Sequence, residues 1–105
     1  MEHYKTRPGV VLMFICKQPV LIPSRAASQY CRLIHPLSYL WAATWDAIDR
    51  GKPLADIIRF HTILTRKPEE EILANLERFC AEMTEKGFMI RVPEDAEADE
   101  TKDAN

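Results

Sequence analysis

Glycine is scarce in this chain, and what there is stands apart: Gly9, Gly51 and Gly87 are the only three. A phosphate-cradling loop needs several glycines close together, so that backbone N–H groups can approach the anion. No such stretch exists. Cysteine is equally thin. Cys16, Cys31 and Cys80 are odd in number, widely spaced and without a CxxC pair. That excludes a disulfide framework and points to reduced thiols in a cytoplasmic protein. His3, His35 and His61 share no metal-binding spacing such as HxxxH, so neither metal nor cofactor is expected. The Ser, Cys, His and Asp residues form no triad signature, so nothing supports an enzyme and no catalytic residue is assigned. The longest apolar run, residues 10–16, has seven residues, far below the roughly 20 that a membrane-spanning helix needs. The opening MEHYKTRPG lacks the apolar core of a signal peptide.

Charge is present but divided. The chain of 105 residues carries a net −2, yet residues 93–105, PEDAEADETKDAN, hold six acids, one lysine and no large apolar side chain. That segment reads as a disordered acidic tail. Residues 1–8 are polar and read as a flexible N-terminus, so a single domain is expected over residues 9–92.

Within it, residues 68–90 form the strongest pattern. Ile72, Leu73, Leu76, Phe79, Cys80 and Met83 recur at three- and four-residue steps, the stripe of an amphipathic helix. Pro68 suits the first turn. Glu69, Glu70 and Glu71 oppose the positive end of the helix dipole, and Gly87 offers the left-handed residue that ends helices. Phe88-Met89-Ile90 then reads as a short strand. Upstream, VVLMFIC over residues 10–16 is a β-branched and aromatic run bounded by Pro8-Gly9 and Pro19, and Val20-Leu21-Ile22 is its hairpin partner. Residues 29–35, QYCRLIH, supply a third strand closed by Pro36. Ser38 is an N-cap for a helix lined by Leu40, Trp41, Thr44, Trp45 and Ile48, with both tryptophans in the core, and Gly51 stops it. Pro53 opens a second helix whose face carries Leu54, Ile57, Ile58, His61 and Leu64. The expectation is an α+β, winged-helix-like domain: a three-stranded antiparallel sheet, three helices and a short C-terminal strand.

That layout resembles the PqqD-like family, the precursor-peptide recognition elements of ribosomal peptide natural-product biosynthesis. The residues that carry the resemblance are spread over residues 8–91. They are the Pro8-Gly9 lead, Val20-Leu21-Ile22, the Leu37-Ser38 helix start, Trp45 followed by Gly51, the ADII run from Ala55 to Ile58, and above all the closing EEEILANLERFCAEMTEKGFMI. Asn75 stands where the family often has Asp, and His61 where it has an apolar residue.

The resemblance implies a non-catalytic peptide chaperone. A leader segment adds as a strand to the edge of the third strand, lies against the third helix, and is presented to a modifying enzyme, commonly a radical SAM protein. Carried onto this chain, the peptide-binding residues are Tyr30, Cys31, Arg32 and Leu33 on the third strand, and Leu73, Leu76, Glu77 and Cys80 on the helix. Arg32 pairs with an acidic leader residue and Glu77 with a basic one. Leu73, Leu76 and Cys80 also qualify as plain core, and Arg32 and Glu77 as plain solvated charges. Two rivals stand beside this reading. A winged-helix DNA-binding regulator needs a basic recognition helix, but the cations are scattered and the helix begins with three glutamates, so no nucleic acid is expected. A dimer joined through an open sheet edge can coexist with peptide binding, partner and peptide competing for one edge, so the chain is expected to be a monomer or an edge-strand dimer, with no membrane partner.

Overall fold

The hairpin expected at residues 10–22 forms around two residues that ordinarily resist its geometry. In the computed structural model, which describes residues 3–25, 27–30 and 33–92, β2 (Val10–Ile15) and β3 (Gln18–Pro23) pair antiparallel from Val10↔Pro23 to Ile15↔Gln18. Cys16 and Lys17 make the turn with φ of 51° and 69°. Both lie in the left-handed region that a type I′ hairpin requires and that Asn-Gly usually supplies. The apolar run on either side sets the pairing, and the turn yields to it.

The chain contains one strand more than expected. β1 (Tyr4–Thr6) pairs antiparallel with β5 (Met89–Arg91), forming a two-stranded sheet separate from the three-stranded sheet β2-β3-β4. Residues 1–8 are therefore not a uniformly loose terminus. Tyr4 is buried, its hydroxyl donates to Glu77 Oε1 at 2.9 Å, and Val92 N–H donates to the His3 carbonyl at 2.7 Å. A three-residue polar strand has no sequence signature, because the partner strand and one aromatic anchor hold it. The acidic tail lies outside the described residues.

The third strand is shorter than expected. β4 is only His35–Pro36, paired with Leu21 and Val20. Residues 27–30, assigned in part to that strand, form turns in which Ala27 N–H and Ser28 N–H donate to the Ser24 carbonyl at 2.9 Å and Tyr30 N–H to the Ala27 carbonyl at 2.9 Å. Arg7 packs its guanidinium 3.8 Å from the Tyr30 ring centre, which fixes the loop beside the terminal strand pair.

The helices follow the sequence reading closely. α1 (Tyr39–Asp49) is capped by Ser38, whose side-chain oxygen accepts the Trp41 N–H. α2 (Leu54–Thr65) begins after Pro53 and ends on Arg66 in the left-handed region. α3 (Glu69–Glu85) follows Pro68, which stands as the cap just outside the first turn. The α3 stripe is buried at Ile72, Leu76, Phe79, Cys80 and Met83, meeting Leu21, Trp45, Ile57 and Met89 in one core. Leu64, assigned to the inner face of α2, is 58% exposed instead. Among the described residues no helix is long and apolar enough to cross a membrane.

Tyr4 supplies a test of the terminal strand. Tyr4→Ala removes a buried ring and a long-range hydrogen bond, and is expected to lower stability by about 2–3 kcal/mol. A shift in the urea midpoint measures this, and an unchanged midpoint contradicts the role assigned to β1.

Candidate functional site

α3 has one buried stripe and therefore two flanks, and the two meet different surroundings. At about 100° per residue, Leu73 and Glu77 fall on one side of the stripe, and Asn75, Arg78 and Glu82 on the other. Glu77 is taken by Tyr4, so the first flank faces β1. The second flank forms one wall of a groove of ≈ 520 Å³, opposite β4 and the start of α1. His35, Trp41, Arg78, Phe79 and Glu82 define it, with Lys67 at one end. A second hollow of ≈ 390 Å³ adjoins the first through His35, and is lined by Tyr30, Leu33, Ile34, Lys86 and Phe88.

The floor of the larger groove is aromatic. Trp41 stacks on Phe79 with ring centres 4.6 Å apart and 20° between planes, and tilts against His61 at 5.1 Å. Trp45 is core as expected, whereas Trp41 is only partly buried and lines the groove. Beneath it, the Thr44 hydroxyl donates to the Leu40 carbonyl at 2.8 Å, so its oxygen is left to accept from His61 Nε2 at 2.7 Å. The proton of the neutral imidazole therefore sits on Nε2. Burial holds the His61 pKa below the ordinary value. His35 is also lowered, by burial first and then by Lys86.

The rim carries charge. Lys86 pairs with Glu82 at 3.1 Å and Lys67 with Glu71 at 3.6 Å. Arg78 donates to Asn75 Oδ1 at 3.1 Å and, among the described residues, has no carboxylate partner. It is the cation of this wall left available to an incoming anion.

The residues assigned from sequence divide three ways. Tyr30, 54% exposed, and Leu33, 79% exposed, line the smaller hollow, although neither lies in a strand. Cys31 and Arg32 lie outside the described residues. On α3 none of the assigned residues lines the groove. Leu76 and Cys80 have no exposed surface, burial pushes the Cys80 thiol up to about 12, and Leu73 and Glu77 lie across the stripe from the groove. Helical periodicity shows that two flanks exist but not which one packs against the sheet. Recognising β1 would have decided it, because the Tyr4 contact occupies the Glu77 side. Trp41 and Phe79, both on apolar stripes and expected only to pack, line the groove as well.

Among the described residues no cluster of His, Cys, Asp or Glu is arranged to hold a metal ion. No family model matches this chain, and neither a curated protein nor a solved structure does.

The buried imidazole gives the groove floor a pH dependence. The unfolded chain takes up a proton near the ordinary histidine value of 6.5, and the folded chain only at lower pH. Stability is therefore full above that value and declines as pH falls through and below it, with His35 adding in the same direction. The urea midpoint is expected to drop between about pH 7 and pH 5. His61→Gln, which retains a donor toward Thr44, is expected to flatten that slope. An unchanged slope in the variant assigns the pH effect elsewhere.

Proposed function

We propose that this domain is a non-catalytic peptide chaperone: it holds an extended leader segment of a ribosomally made precursor along β4 and α3 and presents it to a modifying enzyme, in the manner of the PqqD-like proteins it resembles. The observation that carries this reading is the aromatic-floored groove running beside a sheet edge. A strand laid there gains backbone hydrogen bonds from the edge and side-chain pockets from the floor, the combination used in strand addition.

The β4 edge shapes what is bound. Leu37 N–H donates to the Pro19 carbonyl at 3.0 Å, which places Leu37 and His35 in the register that faces β3. Ile34 and Pro36 then turn outward, and Pro36 has no N–H to give. The edge offers few ladder bonds, so the groove contributes the larger share of affinity. Trp41 and Phe79 receive an apolar leader residue. Arg78 receives an acidic one, because a charge-assisted bond there adds no competition with an existing ion pair. Charge on the sheet side favours the same choice: no Asp or Glu occurs in residues 3–45, which contain Lys5, Arg7, Lys17, Arg25 and Arg32. A modifying enzyme, a radical SAM protein in the family resemblance, takes the presented core segment. Nothing in the groove performs chemistry in this scheme.

Backbone amide NMR with synthetic leader peptides of graded net charge tests the proposal. Shifts are expected at His35, the Trp41 indole and residues 75–82, with acidic leaders binding best. Arg78→Glu is expected to weaken them about tenfold, the equivalent of about 1.4 kcal/mol. Shifts confined to the Leu73 and Glu77 flank discard the site. No response to any leader, with shifts on adding duplex DNA, discards the function in favour of a regulator.

A further inference from the structure

One polar atom in the groove has no task in the fold. His61 is only 2% exposed, yet it lines the larger groove beside Leu40, Trp41 and Ile72. Its Nε2 is engaged inside the protein, donating to the Thr44 hydroxyl at 2.7 Å. That leaves Nδ1 without a proton and with an in-plane lone pair that accepts. No donor among the described residues meets Nδ1, and no polar side-chain atom of theirs that lacks a partner is sealed from the surface. Nδ1 therefore reaches open space, and the space that His61 lines is the groove.

The bond to Thr44 does not by itself explain the residue. A hydroxyl that donates to the carbonyl four residues back, as Thr44 does to Leu40 at 2.8 Å, is already satisfied within its own helix. An apolar side chain at position 61 would cover that hydroxyl and would not require an imidazole to leave water. The removal from water is what holds the His61 pKa down. The PqqD-like pattern has an apolar residue at this position, so the resemblance supplies no role for the histidine either. Thr44 serves His61 rather than the reverse: it fixes the proton on Nε2 and keeps the nitrogen on the groove side bare.

We infer that His61 Nδ1 is the acceptor for an uncharged donor on the bound segment, a side-chain hydroxyl or carboxamide. The inference rests on the peptide reading above and adds a second requirement to it. Trp41 stands between His61 and Phe79, with ring centres 5.1 and 4.6 Å away. The donor residue therefore lies beside the apolar one that rests on Trp41 and Phe79. A carboxylate is rejected at this point, because its lone pairs meet that of Nδ1, and the acidic residue stays with Arg78. An ammonium is rejected too, since the surroundings are apolar and Lys67 and Arg78 share the groove. A purely apolar side chain covers the acceptor and leaves it unpaired, which a buried polar atom tolerates badly. The groove thus selects a neutral donor as well as a charge.

Proton–nitrogen correlation NMR of the histidine rings in the whole chain, free and with synthetic peptides, tests this. The probes are acidic peptides with one threonine placed at each position in turn, each with a twin in which valine replaces the threonine and removes only the hydroxyl. In the free protein Nε2 is expected to carry the proton and Nδ1 to resonate as a bare imine nitrogen. The threonine peptide that reaches the floor is expected to move the Nδ1 resonance upfield and to bind about tenfold tighter than its valine twin. His61→Leu is expected to erase that difference. Circular dichroism establishes whether the variant folds, and if it does not, the wild-type nitrogen resonances decide the matter. A proton on Nδ1 in the free protein overturns the inference. So do peptides that shift the groove amides with no threonine preference at any position and an unmoved Nδ1, or a folded His61→Leu protein that keeps the preference. No shift from any peptide is a separate result, which removes the peptide reading and this inference with it.

Discussion

Burial of the α3 stripe is the contact on which the rest of this small domain depends. Tyr4, Leu21, Trp45, Ile57 and Met89 come from five other elements and converge with Ile72, Leu76, Cys80 and Met83 in a single core. Each fully buried side chain of this size contributes about 1.5–3 kcal/mol, while a whole domain is held by only about 5–15 kcal/mol net. Releasing even two of these residues to a ligand would cost a large share of the stability. Any binding done by α3 therefore falls to its flanks and to Phe79 at the stripe's edge, where the ring meets Trp41 and the groove at once.

The two flanks are made unequal by the shortest element in the fold. β1 spans only Tyr4–Thr6, yet pairing with β5 brings Tyr4 onto Glu77 and Arg7 onto the Gly87 carbonyl, at 2.9 and 2.7 Å. Burial, then the hydrogen bond to Glu77, raises the Tyr4 pKa, so the phenol remains a donor at neutral pH. With that side closed, the opposite flank faces a sheet strand too short to fill the space beside it. The groove exists because β4 stops after two residues and the chain turns into α1 at Ser38.

How far the sequence could be read depended on whether a signal was local. The α3 stripe, the Ser38 cap, the Gly51 and Gly87 stops and the apolar hairpin are each written in a few neighbouring residues, and each appears where the pattern puts it. The third strand was overdrawn because QYCRLIH has strand composition, whereas Tyr30 and its neighbours are held in turns by bonds to Ser24 and Ala27 and by Arg7 beneath the ring. β1 was invisible because its residues, Tyr-Lys-Thr, have no period and gain their structure from Met89–Arg91, more than eighty positions away. The site followed the same division. That α3 has a flank free to wall a groove was legible, but which flank it is rests on β1, whose Tyr4 engages Glu77 and leaves Arg78 on the groove side. His61, which breaks the apolar pattern of α2, was legible as an anomaly, but its reason was not. Thr44, from a different helix, supplies the acceptor that makes a buried imidazole tolerable.

The sheet's two edges differ in what each can form. β4 has two residues, a missing N–H and an aromatic groove beside it, so whatever binds there is chosen by its side chains. β2 has six residues and no charge with which to select a partner by electrostatics, and its Val10 N–H is already held by the Arg7 carbonyl. A domain of about 90 residues has few additional elements with which to shield two sheet edges, and this one spends the turn at Pro8-Gly9 on the first residue of β2.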